Sequence, residues 1–92
     1  MLADLEREPE AAAGPFDVCV IGAGAAGVTI ARELVRGGHR VCLAESGGMD
    51  FEARTQALYK GANLGHAYYA LDEARLRFFG GTVAIWGGRC AL

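Results

Sequence analysis

The chain has 92 residues, room for one small domain at most. Hydrophobic residues make up 52% of it, which is the composition of a packed core and excludes a disordered chain. The formal net charge of −2 is unevenly placed, because residues 1–10 carry Asp4, Glu6, Glu8 and Glu10 against Arg7, and no basic run interleaved with aromatics exists to favour a nucleic-acid partner.

Residues 1–15 are acidic and contain alanine and proline; they read as a flexible N-terminal extension, with the domain proper over 16–92. They lack the basic and apolar regions of a secretory leader. No apolar run approaches bilayer length. The expectation is a soluble, cytoplasmic protein with no membrane partner. Cys19, Cys42 and Cys90 have neither a metal-ligand nor a redox spacing. Cys19 and Cys42 fall within apolar runs, where cysteine is expected to act as a small buried hydrophobe.

Val18–Ile21 predicts a first strand. It runs into Gly22-Ala23-Gly24-Ala25-Ala26-Gly27, a G-x-G-x-x-G turn, and then into an amphipathic helix from about Ala25 to Arg36. Gly27, Ile30, Ala31 and Leu34 are expected on its buried side, with Thr29, Arg32, Glu33 and Arg36 opposite. Gly37-Gly38 stops the helix, since glycine tolerates the left-handed conformation a helix end requires. Val41–Ala44 predicts a second strand, parallel to the first, ending on Glu45.

A glycine triplet alone is weak evidence in a chain with fourteen glycines. Its context, strand before and helix after, makes it a dinucleotide-binding βαβ unit. Gly22 allows the sharp turn, Gly24 lets backbone approach a pyrophosphate, and Gly27 lets the helix lie close to the strand. The helix N-terminus offers unpaired N–H groups and a positive dipole end to phosphate. Glu45 follows Gly27 by eighteen residues, a distance suited to an adenosine ribose. Its carboxylate accepts from ribose hydroxyls and repels a 2′-phosphate, which disfavours NADP and leaves FAD or NAD.

Beyond Glu45-Ser46-Gly47-Gly48 the pattern weakens. Asp50 is expected to cap a short helix reaching about Tyr59, with Phe51, Thr55 and Leu58 on one face and Gly61 past its end. Residues 61–70 read as a loop whose His66, Tyr68 and Tyr69 either line a ligand site or, as loop aromatics more commonly do, pack beneath the loop. Arg75 to Phe78 reads as a short extended piece entering a second glycine-rich segment, Gly80-Gly81-Thr82-Val83-Ala84-Ile85-Trp86-Gly87-Gly88. Two glycine pairs around a small, apolar, Trp-bearing stretch let backbone come close to a large planar ligand. The fold class is therefore α/β: a partial Rossmann-like FAD/NAD(P)-binding domain, made of a βαβ unit and an irregular glycine-rich C-terminal segment.

The two motifs together resemble the glucose–methanol–choline (GMC) family of flavin oxidoreductases. Its members open with strand, G-x-G-x-x-G, helix and a strand ending in Glu-Ser-Gly-Gly, here Glu45 to Gly48. They continue to a segment matched here from Arg77 through Gly80-Gly81-Thr82 to Trp86-Gly87-Gly88. The version in this chain is similar to the choline-dehydrogenase-like and pyranose-oxidase-like branch.

The resemblance implies that Gly22 to Gly27, with Ala23, Ala25 and Ala26, hold the FAD pyrophosphate, and that Glu45, Ser46 and Gly47 meet the adenosine ribose. It places Gly80, Gly81, Thr82, Trp86 and Gly87 beside the pyrophosphate and flavin. Arg77 would anchor that loop or neutralise phosphate charge. It also implies oxidation of a CH–OH group of an alcohol or sugar by hydride transfer to flavin. Branch members that attach flavin covalently use a histidine where this chain has Ile85, so FAD is expected to be held noncovalently. The family's catalytic histidine lies late in a much longer chain, and neither His39 nor His66 matches it. The expectation is an N-terminal fragment of such an enzyme, with no catalytic residue of its own and no turnover alone. Another FAD- or NAD-dependent oxidoreductase fragment and a noncatalytic nucleotide-binding remnant are the alternatives.

Overall fold

The computed structural model describes residues 1–87; Gly88 of the second glycine segment and Cys90 lie outside them. Strand β1 (Val18–Ile21) and strand β2 (Val41–Ala44) form a two-stranded parallel sheet, joined by helix α1 (Ala25–Arg36). The register pairs Val18 with Val41, Cys19 with Cys42, Val20 with Leu43 and Ile21 with Ala44. It is pinned at both ends. Asp17 donates its N–H to Arg40 O (2.8 Å), while the Arg40 N–H returns to Asp17 Oδ2 (2.7 Å); at the other end the Gly22 N–H reaches Ala44 O (2.7 Å). Those bonds from the Arg40 backbone and guanidinium hold the Asp17 carboxyl below its usual range.

Helix α1 begins on Gly24 in an extended conformation, with no side-chain cap. It ends as a paired C-terminal motif. The His39 N–H bonds Leu34 O (3.1 Å) and the Gly38 N–H bonds Val35 O (3.0 Å), with Gly38 at φ +87°. Ala31 is buried, and Gly27, Val28 and Leu34 are half-buried against the sheet. Ile30, expected inside, is 52% exposed. It sits at the margin of the buried stripe, and two strands make too narrow a sheet to reach it.

The cysteine expectation also fails. Cys19 is exposed and Cys42 only half-buried, because both lie on the sheet face away from α1, the same face that leaves Ile21 88% exposed. Strand alternation sent them there. Val20, on the other face, packs toward Gly27.

Past Gly48 the chain forms helix α2 (Ala53–Gln56), a 3₁₀ turn (Ala57–Tyr59), helix α3 (Leu71–Ala74) and a second 3₁₀ turn (Gly81–Ile85). Asp50 caps nothing; Glu52 precedes α2 and makes no side-chain cap bond. Thr55 is buried as expected, but Phe51 and Leu58 are exposed and Gln56 is buried instead. Tightening from α to 3₁₀ geometry after one turn ends the 3.6-residue period on which the predicted face depended. Residues 61–70 are a loop, as expected. Its His66, Tyr68 and Tyr69 are exposed and not packed beneath it; the two tyrosine rings meet edge to face at 5.5 Å. Arg75 has extended backbone, yet the segment from Arg75 to Phe78 joins no sheet. The N-terminal residues include a 3₁₀ turn (Pro9–Ala12), and Glu6 pairs with Arg54 at 3.0 Å.

Candidate functional site

The site grows from the end of β1. Gly22 takes φ +97°, a value costly for a residue with a side chain, and turns the chain toward α1. A Cβ on Gly27 would overlap Gly22 O, so the first turn of α1 sits directly on the glycine turn. A Cβ on Gly24 would meet nothing within 4 Å. Gly24 therefore leaves an open cradle, and Gly27 fills a closed one. Among the described residues, the N–H groups of Gly24, Ala25, Ala26 and Gly27 find no acceptor. Free donors at the N-terminus of a twelve-residue helix, beside an open glycine, suit a phosphate.

Glu45 closes the end of β2 onto this turn. Its Oε2 accepts the N–H of fully buried Ala23 (2.8 Å), and its Oε1 accepts the N–H groups of Ser46 and Gly47 (2.9 Å each). Partial burial raises the carboxyl's pKa. The hydrogen bonds from Ala23, Gly47 and Ser46 outweigh it, and the net direction is down. The carboxylate thus stays ionised and ties the β2 end to the glycine turn.

The second glycine segment docks on the first. The Gly80 N–H bonds Ala23 O (2.9 Å) and the Phe79 N–H bonds Gly48 O (2.9 Å). Gly47 lies against the backbone of Arg77 and Phe78, where a Cβ would come within 2.6 Å of Phe78 Cα. Gly80 and Gly81 both have positive φ (+94° and +63°), and Gly81 packs toward Gly24 Cα. The Thr82 hydroxyl accepts the Leu76 N–H (3.0 Å). Beyond it Ala25, Thr82, Val83, Ile85, Trp86 and Gly87 line an open, mostly apolar groove of about 580 Å³, with Trp86 59% exposed. Phosphate donors at one end and an aromatic, apolar groove beside them fit a dinucleotide with a large ring system.

Arg77 is placed differently from these residues. Its guanidinium carbon lies 4.8 Å from the Tyr59 ring centroid, next to that of Arg75 at 4.3 Å, and its buried Nε finds no partner among the described residues. The sequence did not single out Gln56 or Tyr59. Gln56 is 7% exposed; its Nε2 donates to Asp72 O and Arg75 O (2.6 Å each) and its Oε1 accepts the Arg77 N–H (3.0 Å). No spacing rule marks a glutamine that satisfies backbone sixteen to twenty-one residues away.

Among the described residues there is no cluster of potential metal ligands, and no helix is long and apolar enough to cross a membrane. No curated protein and no solved structure matches the chain significantly. The family model described as FAD dependent oxidoreductase (DAO) matches residues 17–92, from the residue before β1 through both glycine segments. The chain therefore belongs to the FAD-dependent oxidoreductase family, and FAD is its cofactor.

Proposed function

We propose that these residues form the FAD-gripping portion of a GMC-type oxidoreductase that oxidises a CH–OH group of an alcohol or sugar. The observation that carries this reading is the second glycine segment seated on the first, through the Gly80 N–H on Ala23 O. That arrangement gives the Gly80-Gly81-Thr82 and Trp86-Gly87 elements, whose order and spacing resemble the GMC pattern, a place beside the phosphate-binding turn.

When bound, FAD supplies the two-electron acceptor; the protein's part is grip and orientation. In this assignment the free N–H groups from Gly24 to Gly27 hold the pyrophosphate, with Ala23 as the buried floor of the turn. Glu45 accepts a hydroxyl of the adenosine ribose, with Ser46 and Gly47 fixing its carboxylate. Gly81, Thr82, Trp86 and Gly87 wall the flavin side, and Arg77 anchors their loop from behind. Ile85, which has no nucleophilic atom, leaves the flavin noncovalently held. No residue here is assigned as the base, and the protein is read as soluble and cytoplasmic.

The test is anaerobic reduction of the FAD-loaded protein, expressed in its full reading frame, by matched panels of alcohols, sugars, amines and amino acids. Bleaching of the flavin absorbance by alcohols or sugars is expected. Bleaching by amines or amino acids alone would refute the CH–OH assignment while leaving the FAD site intact.

A further inference from the structure

Gln56 is the most heavily engaged side chain outside the glycine turns, and none of the chemistry assigned above uses it. It sits at the last position of α2, is 7% exposed, and spends its whole amide on one segment: Asp72 O and Arg75 O at 2.6 Å, and the Arg77 N–H at 3.0 Å. A primary amide that donates and accepts in this way does for the residues 72–77 backbone what a neighbouring strand would do. The segment has no strand partner. Two and three residues beyond Arg77 the same backbone bonds the segment after β2, from Phe79 to Gly48, and the nucleotide-binding turn, from Gly80 to Ala23. Arg77 is further held by its guanidinium over Tyr59, one helical turn from Gln56.

The path is thus continuous and short. The Gln56 amide fixes Arg77, Arg77 fixes the entry to the second glycine segment, and that segment reaches Ala23, the residue between the first two motif glycines. We infer that Gln56 is a positioning residue for FAD: it sets the height at which the Gly80–Thr82 backbone stands over the phosphate turn. The inference rests on FAD as cofactor and is independent of whether the substrate is an alcohol, a sugar or an amine.

Gln56→Met keeps length and volume and removes every hydrogen bond; Gln56→Glu keeps the acceptor for Arg77 but loses both donors. Each variant and the unaltered full chain are titrated with FAD by flavin fluorescence, the bound flavin is examined by visible-region dichroism, and backbone amide exchange is followed by residue. In both variants FAD should bind at least about tenfold more weakly. The dichroism of the flavin that still binds should change, and exchange should quicken at Arg77, Phe79 and Gly80 while Gly22 and the β2 amides keep their protection. Uniformly faster exchange across both sites would mean Gln56 only stabilises the fold, and would overturn the inference. So would freed amides at 77–80 with unchanged FAD affinity and dichroism.

Discussion

Gly24→Ala and Gly27→Ala add the same methyl group three residues apart, and the structure requires them to fail in different ways. At Gly27 the new Cβ would overlap Gly22 O and approach Gly22 C at 3.1 Å and Val20 Cγ1 at 3.5 Å. The obstructing atom is backbone, in a residue held at φ +97° and bonded to Ala44 O, so it cannot swing aside as a side chain would. Overpacking of this kind costs about 1–3 kcal/mol. A carbonyl in the way puts this site near or above the upper end, and alanine's better helix propensity returns about 1 kcal/mol. A net loss of about 2 kcal/mol is large for a small domain, whose whole stability is on the order of 0.05–0.15 kcal/mol per residue. At Gly24 the Cβ meets nothing and φ is −80°. Loss of the glycine N-cap, a fraction of about 1 kcal/mol, is offset by about 0.4–1 kcal/mol from a stiffer unfolded chain. Stability should therefore hold to within about 0.5 kcal/mol. In the proposed assignment, the methyl instead fills the cradle where phosphate would approach backbone. Losing a charge-assisted hydrogen bond there is worth about 1.5–3 kcal/mol, or about ten- to a hundredfold in FAD affinity. Urea unfolding and FAD titration of both variants check the pair. Equal destabilisation by the two substitutions, or unaltered FAD affinity in Gly24→Ala, would refute the reasoning.

The lowered Glu45 pKa makes stability depend on pH with a definite sign. Because the folded value lies below the unfolded one, its contribution is present above the ordinary glutamate range near 4.5 and is lost as pH falls through the folded value. Urea midpoints measured from neutral pH down should fall on acidification, and Glu45→Gln should flatten that limb; equal slopes would argue against the lock onto Ala23. Cys19 is exposed, whereas burial and the neighbouring Cys19 thiol push the half-buried Cys42 thiol up. Brief alkylation near neutral pH followed by peptide mass mapping should therefore mark Cys19 ahead of Cys42, and the reverse order would contradict their relative exposure.

The strands, turn and helix of the βαβ unit were legible because their determinants are local. Val18–Ile21 and Val41–Ala44 are apolar runs bounded by breakers, and Gly38 supplies the one positive φ that the end of α1 needs. What failed depended on how far a neighbour reaches. Cys19 and Ile30 are apolar enough to be buried, but periodicity assigns a residue to a face without saying whether anything covers it. Asp50 has the chemistry of a cap, yet the chain starts α2 after Glu52. The second glycine segment was readable as a motif, while its seating on Ala23 was not. The segment leading to that contact is held by Gln56, an uncharged residue whose partners are backbone atoms carrying no side-chain signature.

Glu45 shows how much of such a site is internal bookkeeping before any ligand arrives. A carboxylate offers about four acceptor positions. Oε1 takes two short N–H bonds, from Ser46 and Gly47, and a longer approach from the Ser46 hydroxyl at 3.4 Å; Oε2 takes only the Ala23 N–H. One well-directed position is left, on the oxygen nearer the glycine turn. In the ribose role proposed for it, Glu45 then accepts from one hydroxyl, not from two. The same bonds keep the residue ionised through the neutral range, so in that proposed role its negative charge would meet an NADP-type 2′-phosphate. In that role, discrimination against such a phosphate and acceptance of a plain ribose would both follow from one charge, and the backbone N–H groups of Ala23, Ser46 and Gly47 fix it.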